Sequence, residues 1–406
     1  MKSVKHLKPL IWEIAVVLLV LPCMAFADDA DVAELVELGL EEVQEGNFLD
    51  AILYFNQAVD LNTLDPDAFY GRGFSYYFLE NYDQAITDLS KAIEMDPEYP
   101  APYYWRGSSY YDAENYELAV SDFSTFIEIS SDVADALYWR GLSHLSLENL
   151  EQAVADLTVY LETNPDDGHG LFWRGYAYSQ LGIHDEAISD LSQVLELLPD
   201  DEDAVYWRGK NYFSLENYDQ AISDFSRVLE IDPDDSYALY WRGYCYFDIE
   251  NYDEAIADFS GVLELYPDDA DAFYMRGRCY YSVDKHDLAI SDFSRVLEIY
   301  PDDADAIYWR GSCSGSIEDY DGAIADYSRA IELNSEDYEA FYWRAYCYGM
   351  IENFDEALSD LSEALELVPE YADAYLLRSQ IYEYIGDTAR ADADYQRAIE
   401  LDPSIN

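Results

Sequence analysis

The chain has 406 residues, 85 of them acidic and 22 basic, for a formal net charge of −63, and half of it is apolar, with 40 tyrosines and 8 tryptophans. That much apolar matter supports a packed fold in spite of the charge. So negative a surface is repelled by phosphate backbones and anionic lipid, which argues against nucleic acid as a partner.

The first 27 residues read as a targeting segment. Lys2, Lys5, His6 and Lys8 give a basic start, an apolar run extends from Ile14 to Leu21, and Ala25-Phe26-Ala27 precedes the acidic Asp28. This pattern predicts a secretory signal cleaved after Ala27. The apolar run falls short of the roughly 18 to 20 residues that cross a bilayer, and Pro22 before Cys23 does not suit a lipid-attachment site. The mature chain is therefore expected outside the cytoplasm, periplasmic or extracellular. Residues 28–31 form a short acidic leader.

From Val32 onward one unit recurs. Arginine stands at 72, 106, 140, 174, 208, 242, 276, 310, 344 and 378, always 34 apart, so residues 32–405 divide into eleven units starting at 32, 66, 100, 134, 168, 202, 236, 270, 304, 338 and 372. Within 202–235 the apolar residues fall at three- and four-residue spacing in two runs parted by Glu216-Asn217. Two amphipathic helices fit this spacing, and strands, which alternate at period 2, do not. Asn217 is expected to supply the left-handed residue of the turn, while Pro233-Asp234-Asp235 closes one unit and caps the next.

These residues resemble the tetratricopeptide repeat family, whose 34-residue pattern looks like Gly209, Tyr212, Ala221, Phe225, Val228 and Pro233 here, Val228 replacing the penultimate Ala. Glu42, Thr63, and Ser314 with Gly315 depart from it. The resemblance implies an all-α fold, a right-handed superhelix of helical hairpins whose first helices line the inner surface. Physics points the same way, because one hairpin cannot bury its apolar faces without neighbours. No solvating helix follows the last unit, so the face around Tyr395 and Ile399 is expected to be frayed or a contact surface for self-association.

Sixteen residues beyond each arginine stands an aspartate: Asp88, Asp122, Asp156, Asp190, Asp224, Asp258, Asp292, Asp326, Asp360 and Asp394. Positions 7 and 23 of a hairpin lie equally far from its turn, and the first unit loses both charges together, carrying Leu38 and Tyr54. The couples Arg72 with Asp88, Arg106 with Asp122, and so on are thus expected to be structural, since a buried unpaired charge costs about 3 to 5 kcal/mol. With three basic residues in the N-terminal segment and ten in couples, nine remain for the mature exterior. The resulting negative field suits cationic partners, and it also suits solubility or high salt.

An aromatic stripe follows the first helices. Position 5 carries Tyr70, Tyr104, Tyr138, Phe172, Tyr206, Tyr240, Tyr274, Tyr308 and Tyr342; position 6 carries Trp105, Trp139, Trp173, Trp207, Trp241, Trp309 and Trp343, with Met275 the exception. Phe74, Tyr77, Tyr111, Tyr176, Phe213, Tyr244, Phe247, Tyr281 and Tyr346 add rings at positions 9 and 12. Such rings either pack helices together or present faces to an extended segment and its cationic side chains. Tyr104, Tyr138, Phe172, Tyr206, Phe213, Tyr240, Tyr244, Phe247, Tyr274, Tyr281, Tyr308 and Tyr342 are the candidate binding surface. The lysines and asparagines with which some family members hold a terminal carboxylate are missing, position 2 being usually acidic, as at Asp203 and Asp271.

Nothing in the sequence calls for a cofactor, a metal or catalysis. Cys245, Cys279, Cys313 and Cys347 are 34 apart. Stacked hairpins place equivalent positions about 10 Å apart, too far for disulfides. His6, His144, His169, His184 and His286 form no triad, and the acidic turns at 200–203 and 267–271 lack the pattern of a calcium loop. The expected function is an exported scaffold that binds extended, cationic or neutral polypeptide. The alternatives are a self-assembling envelope protein and a weak divalent-cation binder.

Overall fold

The computed structural model describes residues 30–61 and 64–405. The targeting segment with its cleavage site, Cys23 and Thr63 lie outside the described residues. Among those described there are 22 α-helices, a 3-10 turn at Pro403–Ile405 and no strand. After the 15-residue Ala30–Gln44 the helices alternate between two lengths, 14 residues as in Tyr82–Met95 and 13 as in Pro66–Phe78. The chain forms two compact units that divide between Asn211 and Tyr212.

In the first unit Pro66–Phe78 packs on Tyr82–Met95 within its hairpin and on Phe48–Leu61 of the hairpin before. In the second, Ala304–Ser316 packs in the same way on Tyr320–Leu333 and on His286–Ile299. Position 8 is small because the aromatic of the second helix lies directly over it: a Cβ at Gly107 would sit 3.0 Å from the Phe123 ring. The last turn, Pro403–Ile405, lies against Thr388–Leu401, where Tyr395 and Ile399 are half-buried.

The hairpin turn departs from the sequence reading. Its left-handed residue is Glu216 (φ 57°), whereas Asn217 has φ −83° and stands at the cap of the next helix. The same position is left-handed at Glu80, Glu114, Glu148, Glu250, Asp284, Glu318 and Glu352, and is glycine at 46, 182 and 386. In the first unit the Asn81 amide donates to the Tyr76 carbonyl and the Glu80 amide to that of Tyr77. This Schellman pattern satisfies the last carbonyls of the first helix and forces one residue to positive φ. Backbone geometry thus requires what the glutamate side chain disfavours. At the other end of the hairpin, Asp235, Asp269 and Asp303 each accept from the amide three residues on, at 2.7 to 2.8 Å.

Candidate protein-binding surface

The repeated arginines fix the frame on which the aromatic positions sit. In nine of the ten couples Arg Nε and Nη2 donate to both oxygens of the aspartate sixteen residues on, at 2.6 to 2.9 Å. These are Arg72–Asp88, Arg106–Asp122, Arg140–Asp156, Arg174–Asp190, Arg242–Asp258, Arg276–Asp292, Arg310–Asp326, Arg344–Asp360 and Arg378–Asp394. Arg208 and Asp224 fall on either side of the unit division, and Arg208 donates to Ser192 within the first unit.

The aspartates are buried. Burial pushes the Asp122, Asp258 and Asp292 carboxyls up against the pull of their arginines, and the hydrogen bond to Asp88 or Asp190 raises Arg72 or Arg174. Two parallel bonds at this distance keep both partners charged at neutral pH.

A second contact was not read from the sequence. The remaining Nη1 reaches back to the previous hairpin, from Arg106 to Ser90 at 3.0 Å, Arg242 to Ser226 at 3.0 Å and Arg344 to Ser328 at 3.0 Å. Each of these three guanidinium groups therefore ties its own two helices together and also ties hairpin to hairpin. The signal was present: a small hydroxyl, or Asn56, stands sixteen residues before each arginine as the aspartate stands sixteen after.

In the first unit several of the aromatic positions are interior. Tyr104 and Tyr138 are 5% and 6% exposed, so these two candidates are interior and not surface. Tyr104 packs on Phe126 at 5.3 Å and Tyr138 on Tyr160 at 5.1 Å. Burial holds both hydroxyls far above the usual phenol range. Tyr70 and Trp105 are buried as well, the indole lying against Phe74 at 4.8 Å and Tyr77 at 5.1 Å. Phe172 and Tyr206 remain half-buried.

In the second unit every candidate is half-buried: Phe213, Tyr240, Tyr244, Phe247, Tyr274, Tyr281, Tyr308 and Tyr342. Rings at position 12 lean on the indole of the next hairpin, Phe213 on Trp241 and Tyr281 on Trp309, both at 5.1 Å. Burial, with Asp271 or Glu339 nearby, pushes Tyr240 and Tyr308 up to about 12. The sequence reading counted Arg278 only among the exterior bases. Its guanidinium lies over Trp309 at 4.3 Å, Phe247 at 5.4 Å and Tyr274 at 5.9 Å, a cation held by rings from three successive hairpins.

Several other exterior bases meet carboxylates. Arg329 pairs with Asp302 and Glu332, Arg295 with Asp268 and Glu298, and Arg390 with Asp387. Cys245, Cys279, Cys313 and Cys347 are buried free thiols that pack as small residues. Burial lowers the His144 pKa. Among the described residues no group of three or more His, Cys, Asp or Glu is placed to hold a metal ion, and no helix is long and apolar enough to cross a membrane.

Comparison with known proteins agrees with this frame. A family model described as Tetratricopeptide repeat matches residues 104–168, 138–202, 206–270, 246–304 and 316–348, and related repeat models match 75–113 and 372–405. Among solved structures the chain is similar to YrrB, described as a TPR protein with an unusual peptide-binding site, at 27% identity over 46% of this chain and 95% of that one (TM-score 0.44). It is also similar to MamA, at 23% identity over 40% and 95% (TM-score 0.39), and to yeast Tom70, at 19% over 92% and 93% (TM-score 0.38). No curated protein matches the chain.

Proposed function

Because the chain belongs to the tetratricopeptide repeat family, we propose that it acts as a non-enzymatic scaffold, and that the half-buried rings of its second unit bind an extended, cationic polypeptide segment. One observation carries this reading: the seating of Arg278 on Trp309, Phe247 and Tyr274. The protein thereby supplies its own example of a cationic side chain laid on this surface. A cation over a ring contributes about 0.5 to 1 kcal/mol when exposed and about 2 when desolvated. A chain with net charge −63 adds long-range attraction that steers cationic segments and weakens with salt.

The same acidity suits a protein working outside the cell, and we place it there on the strength of its N-terminal segment. Mass spectrometry of the exported protein should find a chain beginning at Asp28. Binding is tested by titrating the mature chain with an arginine- and lysine-rich peptide of about twenty residues, sized to an extended strand at about 3.3 Å per residue. Affinity should fall steeply with salt and drop further in Tyr240→Ala with Tyr274→Ala. Equal affinity for an acidic peptide of the same length would refute the reading.

A further inference from the structure

We infer that the hollow at Ser312, in the hairpin 304–337, is a seat for an arginine side chain of the partner: an aromatic cage built like the one that Arg278 fills one hairpin earlier, with a serine where that arginine stands. This rests on the scaffold reading above and names a place and a chemical group within it.

The filled cage has a simple construction. Arg278 at position 9 lies among Phe247 from position 12 of the preceding hairpin, Tyr274 from position 5 of its own and Trp309 from position 6 of the next. Burial pushes the Tyr274 phenol up against the pull of Arg278, and the Asp305 carboxylate adds to the rise.

Thirty-four residues on, the three wall positions carry Tyr281, Tyr308 and Trp343, and position 9 carries Ser312. Burial pushes the Tyr308 phenol up with Glu339 adding to the rise, as Asp305 does at Tyr274, and Ser312 Oγ donates to Tyr281 Oη at 3.4 Å. The exposed Glu339 carboxylate accepts from Tyr338 Oη at 3.3 Å.

Ser312 alone does not open such a cage. In the first unit Ser108 stands among Tyr77, Tyr104 and Trp139, the same three kinds of wall, yet Ser108 is 6% exposed. There Tyr111 at position 12 packs on Trp139 at 5.2 Å and covers part of the indole, as Tyr281 does on Trp309 beside Arg278. At the corresponding place in hairpin 304–337 stands Gly315. A Cβ added there would meet nothing nearer than Cys347 Sγ at 3.8 Å and Ala323 Cβ at 3.9 Å. No position-12 ring leans on Trp343; Tyr342 and Tyr346 of its own helix lie beside it at 5.1 and 6.0 Å, and it is 38% exposed. Two small residues together, Ser312 and Gly315, make the opening, and the sequence carries this pair in this hairpin.

Arginine fits better than lysine. The guanidinium is planar and weakly hydrated, stacks on a ring face, and offers paired donors to one carboxylate, whereas the ammonium is a compact, strongly hydrated point charge.

The test uses the mature chain and a fifteen-residue Gly-Ser peptide carrying three arginines, with lysine and citrulline versions as probes. Binding is read from the Trp343 indole N–H resonance, assigned with Trp343→Phe. The arginine peptide should shift that resonance at an affinity about tenfold above the lysine peptide, a difference of about 1.4 kcal/mol that lies within the range of a desolvated cation on a ring. The citrulline peptide should not shift it. Ser312→Arg places the chain's own guanidinium in the seat, and Gly315→Tyr lays a ring on Trp343. Both copy residues found one hairpin earlier, so both should fold, and both should lower affinity at least tenfold.

If both variants bind as wild type while Tyr240→Ala with Tyr274→Ala abolishes binding, the seat is wrong and the scaffold reading stands. If the arginine peptide binds none of these proteins, both fall. Equal binding of the citrulline peptide would show that charge plays no part and would overturn the assignment.

Discussion

The hairpins 100–133 and 304–337 have the same wall residues at one side of the first helix, and serine at position 9 in both, yet in one Ser108 and Tyr104 are buried and in the other Trp343 stands open. The difference lies at position 12, where Tyr111 leans on Trp139 at 5.2 Å and Gly315 brings no ring onto Trp343. A repeat therefore sets where rings are placed, and a single neighbour sets whether a ring is core or surface. The same holds between the units: Phe74, Tyr77 and Phe78 fill the space around Trp105, while Ser312, Gly315 and Ser316 leave space beside Trp343.

The largest expected effect concerns what the two hairpins share. Arg106→Leu and Arg344→Leu should each cost about 3 to 5 kcal/mol, because each strands a buried carboxylate, and adding Asp122→Leu or Asp360→Leu should restore most of it. Urea denaturation of these four variants and the wild type decides the matter. Double variants no more stable than the singles would show that the couples are not interior.

Next comes the contrast itself. Tyr104→Ala should cost about 3 to 5 kcal/mol, as loss of a buried aromatic does, and Tyr308→Ala clearly less, with the greater loss in peptide binding. Equal stability losses would erase the distinction between filled and open cages.

Alkali probes the same contrast by ionisation. Buried phenols such as Tyr104 and Tyr138 have folded pKa values far above the ordinary 10, so above pH 10 the unfolded chain releases protons that the folded chain retains. Stability then falls as pH rises, by about 1.4 kcal/mol per pH unit for each such phenol. Followed residue by residue, the Tyr240 and Tyr308 phenols should ionise only as the folded chain approaches pH 12, and Tyr104 and Tyr138 only on unfolding. Ionisation of Tyr104 and Tyr138 near pH 10 in the folded chain would mean that these positions are not closed.

The smallest effect is local. Glu114 holds φ 61°, so Glu114→Gly should stabilise the first unit by about 1 kcal/mol, while Gly386→Ala, at φ 84°, should cost about as much. Thermal melts of both variants measure it.

Much of this was legible in the letters. The spacing of Arg106 and Asp122 announced a contact across the hairpin, because residues equally distant from a turn meet on antiparallel helices. Ser90 carried the same kind of signal in the other direction and went unread, since a hydroxyl alone names no partner. The turn was misplaced by one residue, from Glu216 to Asn217, because side-chain preference favours asparagine for positive φ while the hydrogen bonds of the helix end select the residue before it. Arg278 was visible as a base but not as a cation on a ring.

Periodicity by itself determined the helices, their pairing and the charged couples, because those depend on separations along the chain that every hairpin repeats. Which rings are interior and which face outward was decided only in three dimensions. Exposure of Trp343 depends on Gly315 and Ser312, which belong to a different hairpin, and the room beside an indole is set by the volume of residues that chain distance does not reveal.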